Sequence, residues 1–318
     1  MKQADLGCKI LLETCAEAKP GEKILILTDD DSLKIGQTMY QYAKQFFDAT
    51  MVCMKPRITH GDAATQCAAA AMREADVIFG ATTFSLYNTE ARIFACKKGA
   101  RFVNMSDYSM KMLEEGSLFI DFAGLKPELD RLASRIVGKE ASITTPAGTK
   151  LRSSIEGRHA DIGYGRSVRR GESSSPPNVE CAVGPADDSM EGTLVVDGSV
   201  PLPGVGVIRE AIIVQFERGR IVSITGGEQA QKLKETLEGY RDPRVFLAAE
   251  IGFGMNPAAR LSGRMLEDEG MRGTMHIGIG NNLSYGGSND TPVHIDLIMK
   301  SPTCMIDGVC VCRDGQII

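Results

Sequence analysis

Apolar runs alternate with segments of helical periodicity over roughly the first 125 positions of the chain. The runs Lys23–Thr28 and Asp76–Gly80 are almost continuously apolar, as in strands buried on both faces, and Arg101–Asn104 is predicted as another strand. Between them, Ser32–Phe47 and Gln66–Ala75 carry apolar residues near the 3.6-residue period of an α-helix. This βαβα order predicts a doubly wound parallel sheet covered by helices on both faces.

The pattern changes near Pro127, where the helical rhythm stops and strand-like segments take over. Turn dipeptides such as Arg218-Gly219 and Asp307-Gly308 separate these segments, as in antiparallel sheets. One helix is predicted in this half, over Glu228–Tyr240. The pattern therefore predicts two domains, an α/β domain over residues 1–125 and a strand-rich α+β domain over residues 126–318.

Composition narrows the class of protein. Apolar residues make up 43% of the 318 positions, enough for a substantial core, and the formal net charge of −5 lacks the basic footprint of a nucleic-acid-binding domain. No apolar run approaches the roughly 18 residues of a membrane span. Nine cysteines without a repeating spacing favour reduced thiols, so we expect a cytoplasmic protein without nucleic-acid or membrane partners.

The loop after the first predicted strand argues against a dinucleotide site. Neither GxGxxG nor GxxxxGK[ST] occurs, and Thr28 is followed by three aspartates where a phosphate would need bare backbone amides. We expect Asp31 or Ser32 to cap the following helix instead.

The strongest chemical signal is the pair His294 and Asp296 in an alternating apolar segment. Side chains two residues apart on a strand point to the same face, so both can reach one metal ion, although a short strand could simply expose them. Glu250 and His276 lie in the same glycine-rich region. Imidazole and carboxylate together suit Zn, Co, Mn or Fe(II), and the carboxylate-rich set without nearby cysteine favours an open site over a structural one.

These motifs resemble a known enzyme family. The run AEIGFGMNP…LEDEGMRGTMHIGIGNN…GGSNDTPVHIDLIM, with Pro176–Glu180 upstream, is similar to the C-terminal half of the M29 aminopeptidase T family. The resemblance implies a metal-dependent exopeptidase with two ions of Zn, Co or Mn and with Glu269 as general base. The metal ligands that it implies are Glu180, Glu250, His276, His294 and Asp296.

The resemblance has one local departure. The family places a tyrosine seven residues after the ligand histidine, where it helps stabilise the tetrahedral intermediate. Here that position is Leu283, and Tyr285 follows two residues later. We take Tyr285 as the second candidate catalytic residue.

The related 2,5-dihydroxypyridine dioxygenases offer an alternative. They share the GMNP and GGSNDT…HxD runs and hold one Fe(II) with two histidines and an aspartate. This chain matches His294 and Asp296, but Glu250 stands where the remaining histidine of that triad falls. His276 and Glu250 therefore favour the hydrolase, and an Fe(II) dioxygenase remains the alternative.

Two arginines near the first predicted ligand are candidates for substrate binding. Arg158 and Arg166 are flanked by glycines, and a guanidinium can bind a carboxylate through two parallel hydrogen bonds. We expect a small molecule or short peptide as substrate and a homodimer as the assembly.

Overall fold

The computed structural model describes residues 3–318, which divide into two compact units. One unit comprises the described residues up to Ala123 together with Gly163–Pro177. The other comprises Gly124–Ile162 and Asn178–Ile318. No helix among the described residues is long and apolar enough to cross a membrane.

Helices are concentrated in the first unit. Within residues 3–318 the α-helices are α1 (Gln3–Lys9), α2 (Leu33–Ala43), α3 (Gln66–Glu74), α4 (Glu90–Lys97), α5 (Met110–Glu114), α6 (Phe122–Arg135), α7 (Glu228–Gly239) and α8 (Met265–Asp268). A π-helix, Ile10–Cys15, continues α1, and short 3-10 helices occupy Pro243–Phe246 and Leu283–Tyr285.

The first unit is built on a parallel five-stranded sheet. Its strands are β1 (Lys23–Asp29), β2 (Asp48–Met54), β3 (Val77–Ala81), β4 (Arg101–Asn104) and β8 (Ser173–Ser174), in the order β2-β1-β3-β4-β8. Every residue of β3 and β4 is buried, as expected for strands of a parallel sheet that is covered on both faces. The doubly wound α/β class is thus confirmed.

Side chains fix the helix starts in this unit. The hydroxyls of Thr65, Thr89 and Ser109 accept hydrogen bonds from backbone N–H groups in the first turns of α3, α4 and α5. The predicted cap by Asp31 or Ser32 is wrong: the side chain of Ser32 makes no capping bond. The buried carboxylate of Asp29 instead accepts the Ser32 N–H at 3.0 Å and the Thr83 N–H at 2.7 Å.

The two compact units divide between Ala123 and Gly124, close to the predicted boundary at 125/126, with one larger difference. The segment Gly163–Pro177 belongs to the first unit. It returns because β8 pairs in parallel with β4 and because the Ser167 hydroxyl donates to the Phe102 carbonyl at 3.0 Å. Such long-range pairing leaves no local sequence signal.

The second unit is strand-rich. Its remaining strands are β5 (Glu140–Thr144), β6 (Lys150–Ser154), β7 (Ala160–Gly163), β9 (Glu180–Val183), β10 (Glu191–Val196), β11 (Ser199–Val200), β12 (Gly206–Val207), β13 (Ile212–Glu217), β14 (Arg220–Thr225), β15 (Ala248–Gly254), β16 (Thr274–Gly280), β17 (His294–Lys300), β18 (Thr303–Ile306), β19 (Val309–Arg313) and β20 (Gln316–Ile317). They form an eight-stranded sheet, β14-β13-β10-β6-β5-β18-β19-β20, a five-stranded sheet, β17-β16-β15-β9-β7, and the pair β11-β12.

Helix α6 corrects one expectation. The helical rhythm does not end at Pro127, because α6 runs from Phe122 through Pro127 to Arg135. Its buried residues Phe122, Leu129 and Leu132 continue an apolar stripe past the proline. Packing of that stripe offsets the backbone hydrogen bond that Pro127 cannot donate.

Candidate metal centre

The predicted metal ligands lie on one face of the five-stranded sheet of the second unit, β17-β16-β15-β9-β7. Glu180 begins β9, Glu250 lies on β15, His276 on β16, and His294 and Asp296 on β17. Since β15, β16 and β17 are neighbours in this sheet, residues distant in sequence become neighbours in space. The structure therefore brings all five predicted ligands to one place.

Glycines alternate with these ligands across the strands. Gly278 on β16 pairs with Glu250 on one side and with Asp296 on the other. Gly252 pairs with His276, and a Cβ atom there would fall on the imidazole ring. The glycines therefore leave the space into which the long ligand side chains fold.

Glu250 lies at the centre of the cluster. Its Oε2 is 2.9 Å from Nε2 of His294, and its Oε1 is 3.3 Å from Nε2 of His276. His276 also lies close to Glu180, with 3.5 Å between its Nε2 and Oε2 of Glu180. Asp296 completes the set, with its Oδ1 3.2 Å from Nε2 of His294.

A backbone contact fixes the orientation of His294. Its Nδ1 lies 2.7 Å from the carbonyl oxygen of Asn281, which can only accept a hydrogen bond. The ring therefore donates from Nδ1 to this carbonyl, and Nε2 faces the carboxylates of Glu250 and Asp296, where a bound cation would take the place of the Nε2 proton. This is the usual arrangement of a metal-binding histidine.

The pKa values in the cluster shift in opposite directions. Burial would raise the pKa of Glu250, but hydrogen bonds with His276 and His294 lower it. Burial would likewise lower the pKa of His276, but the hydrogen bond and charge of Glu250 raise it to about 9. Burial and the charge of Glu250 raise the pKa of Glu180 to about 8. A divalent cation bound among these side chains would replace the protons that they hold in its absence.

The donor atoms fit a metal ion. Nearest-atom separations of at most 4.8 Å define two groups, Glu180, Glu250 and His276, and Glu250, His294 and Asp296. Within residues 3–318, both oxygens of Asp296, Oε2 of Glu180 and Nδ1 of His276 are buried without a hydrogen-bond partner. Buried polar atoms left in this way are costly unless they coordinate a cation.

Glu269, the predicted general base, lies beside the cluster. It is 9% exposed, and its Oε1 accepts a hydrogen bond of 3.0 Å from the side-chain amide of Asn178. Burial, followed by the nearby charges of Glu180 and Asp296, raises the pKa of Glu269 well above its usual value. Glu269 is thus a buried acid that holds a proton near the predicted ligands.

Tyr285 reaches the cluster although it is displaced by two positions from the M29 pattern. Its ring centroid lies 5.7 Å from that of His294. Burial and the charge of Glu250 raise the pKa of the Tyr285 phenol, so it remains a hydrogen-bond donor. Leu283, which occupies the family position, is 51% exposed.

The two predicted substrate arginines have different surroundings. The Arg158 guanidinium donates to the carbonyl of Gly286 and to Oδ1 of Asp187, the latter at 2.8 Å. Arg166 belongs to the first unit, where it binds the carbonyl of Thr14 and the carboxylate of Glu17. A substrate role stays a prediction for both.

Two amide residues of the site were missed by sequence reasoning. Asn178 orients Glu269, and Asn281 orients His294. Asn178 lies 91 positions from its partner, so no local spacing could have linked them. Only the position of Asn281 directly after the glycine-rich strand β16 could have suggested a role.

The fold and the cluster together define an α/β and strand-rich chain with a candidate metal centre. The chain belongs to the NicX family of 2,5-dihydroxypyridine 5,6-dioxygenases, whose model matches residues 7–318. A curated relative, 2,5-dihydroxypyridine 5,6-dioxygenase from Pseudomonas putida KT2440, is 29% identical over 200 residues. That match covers 59% of this chain and spans only 57% of the relative.

Solved structures support the fold. A structure of the 2,5-dihydroxypyridine dioxygenase from Pseudomonas putida KT2440 is similar with a TM-score of 0.81 at 20% identity, covering 99% of this chain and 96% of that one. Wild-type AmpT from Thermus thermophilus is similar with a TM-score of 0.71 at 13% identity, covering 99% of both chains. The expected fold relationship with M29 is thus confirmed, while the family assignment favours the dioxygenase alternative over the aminopeptidase-like hydrolase.

Proposed function

We propose that this protein is a metal-dependent dioxygenase that opens a dihydroxylated pyridine or a closely related ring. The observation that carries the proposal is the convergence of Glu250, His294 and Asp296 on one sheet face in a chain of the NicX family. Two carboxylates and an imidazole are hard and borderline donors that suit Fe(II). His276 and Glu180 border the same set.

In this proposal one Fe(II) is held by Glu250, His294 and Asp296. Iron bound there would supply the electron-transfer chemistry with O₂ that an organic side chain cannot provide. Its charge would balance the buried carboxylates of Glu250 and Asp296, which are only 1% exposed. The donor set differs from the two-histidine, one-aspartate triad by Glu250.

The remaining side chains handle protons and orientation. Oε1 of Glu269 accepts from Asn178, so the proton of this acid belongs on Oε2, where it can pass to a substrate oxygen. The Tyr285 hydroxyl can donate a hydrogen bond to a ring hydroxyl. The carbonyl of Asn281 accepts a hydrogen bond from Nδ1 of His294 and so directs Nε2 toward the other ligands. These groups orient the ring and exchange its protons.

A metal-dependent hydrolase is the second candidate, and the shared position of Glu250 favours it. The two donor groups have Glu250 in common, with one oxygen directed at His276 and the other at His294. A carboxylate between two cations reduces their mutual repulsion, as in two-metal hydrolases. In that case the charge of the bound cations would lower the pKa of Glu269, and its carboxylate could then accept the proton of the attacking water.

Metal analysis and paired assays distinguish the two candidates. The protein is purified anaerobically, its metal content is measured per chain, and O₂ uptake with Fe(II) and 2,5-dihydroxypyridine is recorded beside cleavage of small peptides with Zn, Co or Mn. One iron per chain with substrate-dependent O₂ uptake supports the dioxygenase. Two ions per chain with peptide cleavage and no O₂ uptake would replace it by the hydrolase.

Replacing the shared carboxylate sharpens this test. Glu250→His creates two imidazoles and one carboxylate, a set that holds one Fe(II) but no longer supplies a bridging anion. For the dioxygenase we expect one iron and retained O₂ uptake. For the hydrolase we expect loss of one ion and of peptide cleavage by orders of magnitude. His60→Ala, which alters a histidine of the first unit, is the control and should change neither metal content nor activity.

A further inference from the structure

The loop between β16 and β17 places Tyr285 beside the cluster of candidate metal ligands. Its ring lies 5.7 Å, centroid to centroid, from that of His294. Gly184, just after β9, permits this approach, because a Cβ atom there would lie 3.0 Å from Cβ of Tyr285 and closer still to its carbonyl oxygen. The backbone of Tyr285 is thus seated directly on the end of β9.

A second anchor holds the next residue of the loop. Nη1 of Arg158 donates to the carbonyl of Gly286, and Nη2 donates to Asp187 at 2.8 Å. The Arg158 side chain is only 13% exposed, although Asp187 is largely exposed. The guanidinium therefore joins the segment before β7, the segment after β9 and the loop that carries Tyr285.

These contacts leave little of Arg158 for a substrate. A substrate carboxylate bound through both terminal nitrogens would compete with Asp187, which already compensates the charge, and with the carbonyl of Gly286. We propose that Arg158 is a positioning residue that holds Tyr285 beside the candidate metal ligands, and that it does not bind the substrate. The proposal assigns Asp187 the supporting role of orienting the guanidinium.

The inference deepens the proposed function, since Tyr285 matters only if the cluster is a reaction centre. The anchor itself is testable without turnover, because the chain contains no tryptophan. Tyr285→Trp therefore introduces a single tryptophan at the site, which can be excited apart from the tyrosines. Its anisotropy and its quenching by acrylamide measure how firmly the loop holds position 285.

The fluorophore is combined with Arg158→Met, with Asp187→Asn and with Arg152→Met as a matched control on the exposed part of β6. We expect Arg158→Met to lower the anisotropy and to raise acrylamide quenching severalfold. Asp187→Asn should have a smaller effect in the same direction, and Arg152→Met none. Metal content should stay unchanged, because no metal ligand is altered.

Hydrogen exchange of the chain with its native Tyr285 provides a second measurement. In Arg158→Met, amides of residues 281–291 should exchange about tenfold faster, the equivalent of losing one charge-assisted hydrogen bond, while β16 is unaffected. Arg158→Lys, which keeps one donor, should restore part of the protection.

Two results would overturn the proposal. The first is anisotropy and exchange in Arg158→Met that equal those of the Arg152→Met control. The second is an Arg158→Met enzyme with a raised KM, unchanged kcat and an unaltered loop, which would return Arg158 to substrate binding. Failure of the proposed function is separate, because a protein without O₂ uptake would still report whether the loop is anchored.

Discussion

On the sheet that contains β15, β16 and β17, a single glycine makes the space in which the candidate metal ligands lie close together. Gly278 lies in register between Glu250 and Asp296, and a Cβ atom there would come within 2.7 Å of the His294 ring and 2.8 Å of Cβ of Glu250. Both distances are shorter than carbon contacts allow. The glycine is needed for space, since its backbone is extended like that of its neighbours in the strand.

Gly278→Ala should therefore weaken metal binding. The added methyl pushes the His294 ring or Glu250 out of place, and we expect affinity for Fe(II) or Co(II) to fall roughly 10–100-fold, as when an outer-shell partner of a ligand is lost. Titration of metal-free protein by calorimetry measures this. Gly239→Ala, at the end of α7 with open space around it, is the control and should bind metal normally. Unchanged affinity in Gly278→Ala would show that the strand adjusts.

The sequence revealed the ligands better than it revealed their supports. His294 and Asp296 stood out because strand alternation places them on one face whatever the tertiary fold. The density of glycines was visible, but which glycine faces which ligand depends on strand register. Asn178 acts through a contact across 91 positions, and only the assembled sheet creates it.

At the scale of elements, local pattern predicted strands and helices well and long-range pairing poorly. β4 has the predicted bounds, Arg101–Asn104, and all four of its residues are buried. β8 has only two residues, and Pro127 interrupts the helical pattern of the α6 sequence, so neither element was predicted. Both exist because neighbouring parts of the chain pack against them.

An ion pair ties α6 to the segment that leads into β16. Arg272 donates to both oxygens of Glu128, each at 2.8 Å, and also to the carbonyl of Met255 at 3.0 Å. The hydrogen bond and charge of Arg272 lower the pKa of Glu128 despite partial burial. Because the pKa of this carboxyl is lower in the folded state, its stabilisation is present above about pH 4.5 and is lost as the pH falls below that value.

Glu128→Gln should lower the free energy of unfolding by about 1 kcal/mol at pH 7. The difference between wild type and variant should shrink toward zero between pH 5 and pH 3, roughly, as Glu128 becomes protonated in the wild type. Urea unfolding at several pH values measures both effects. Glu217→Gln on the exposed face of β13 is the control. A difference that stayed constant with pH would mean that the charge of Glu128 contributes nothing.

At the scale of the whole molecule, all the candidate metal ligands belong to one of the two compact units. The first unit has its own apolar core around the parallel sheet, including Leu27, Ile78 and Phe102. Each of the five candidate ligands belongs to the second unit. The change of pattern near Pro127 predicted two parts, while the return of Gly163–Pro177 to the first part required the folded structure.

Because the ligands are confined to one unit, metal should stabilise that unit most directly. A cation that binds only the native state adds about 2.7 kcal/mol at a hundredfold excess over its dissociation constant. We expect Fe(II) or Co(II) under anaerobic conditions to slow hydrogen exchange most strongly in β15, β16 and β17. Protection in β1 and β3 should change less.

His294→Ala and His60→Ala separate this effect from a general influence of the ion. His294→Ala removes an imidazole that lies 2.9 Å from Glu250, so metal should no longer protect β15–β17. His60→Ala alters the first unit, where Nδ1 of His60 accepts the N–H of Ser85, and should leave the metal-dependent protection intact. Equal protection by metal in the two variants would remove His294 from the ligand set. A larger increase in protection on adding metal in β1 and β3 than in β15–β17 would place the ion outside the sheet of β15–β17.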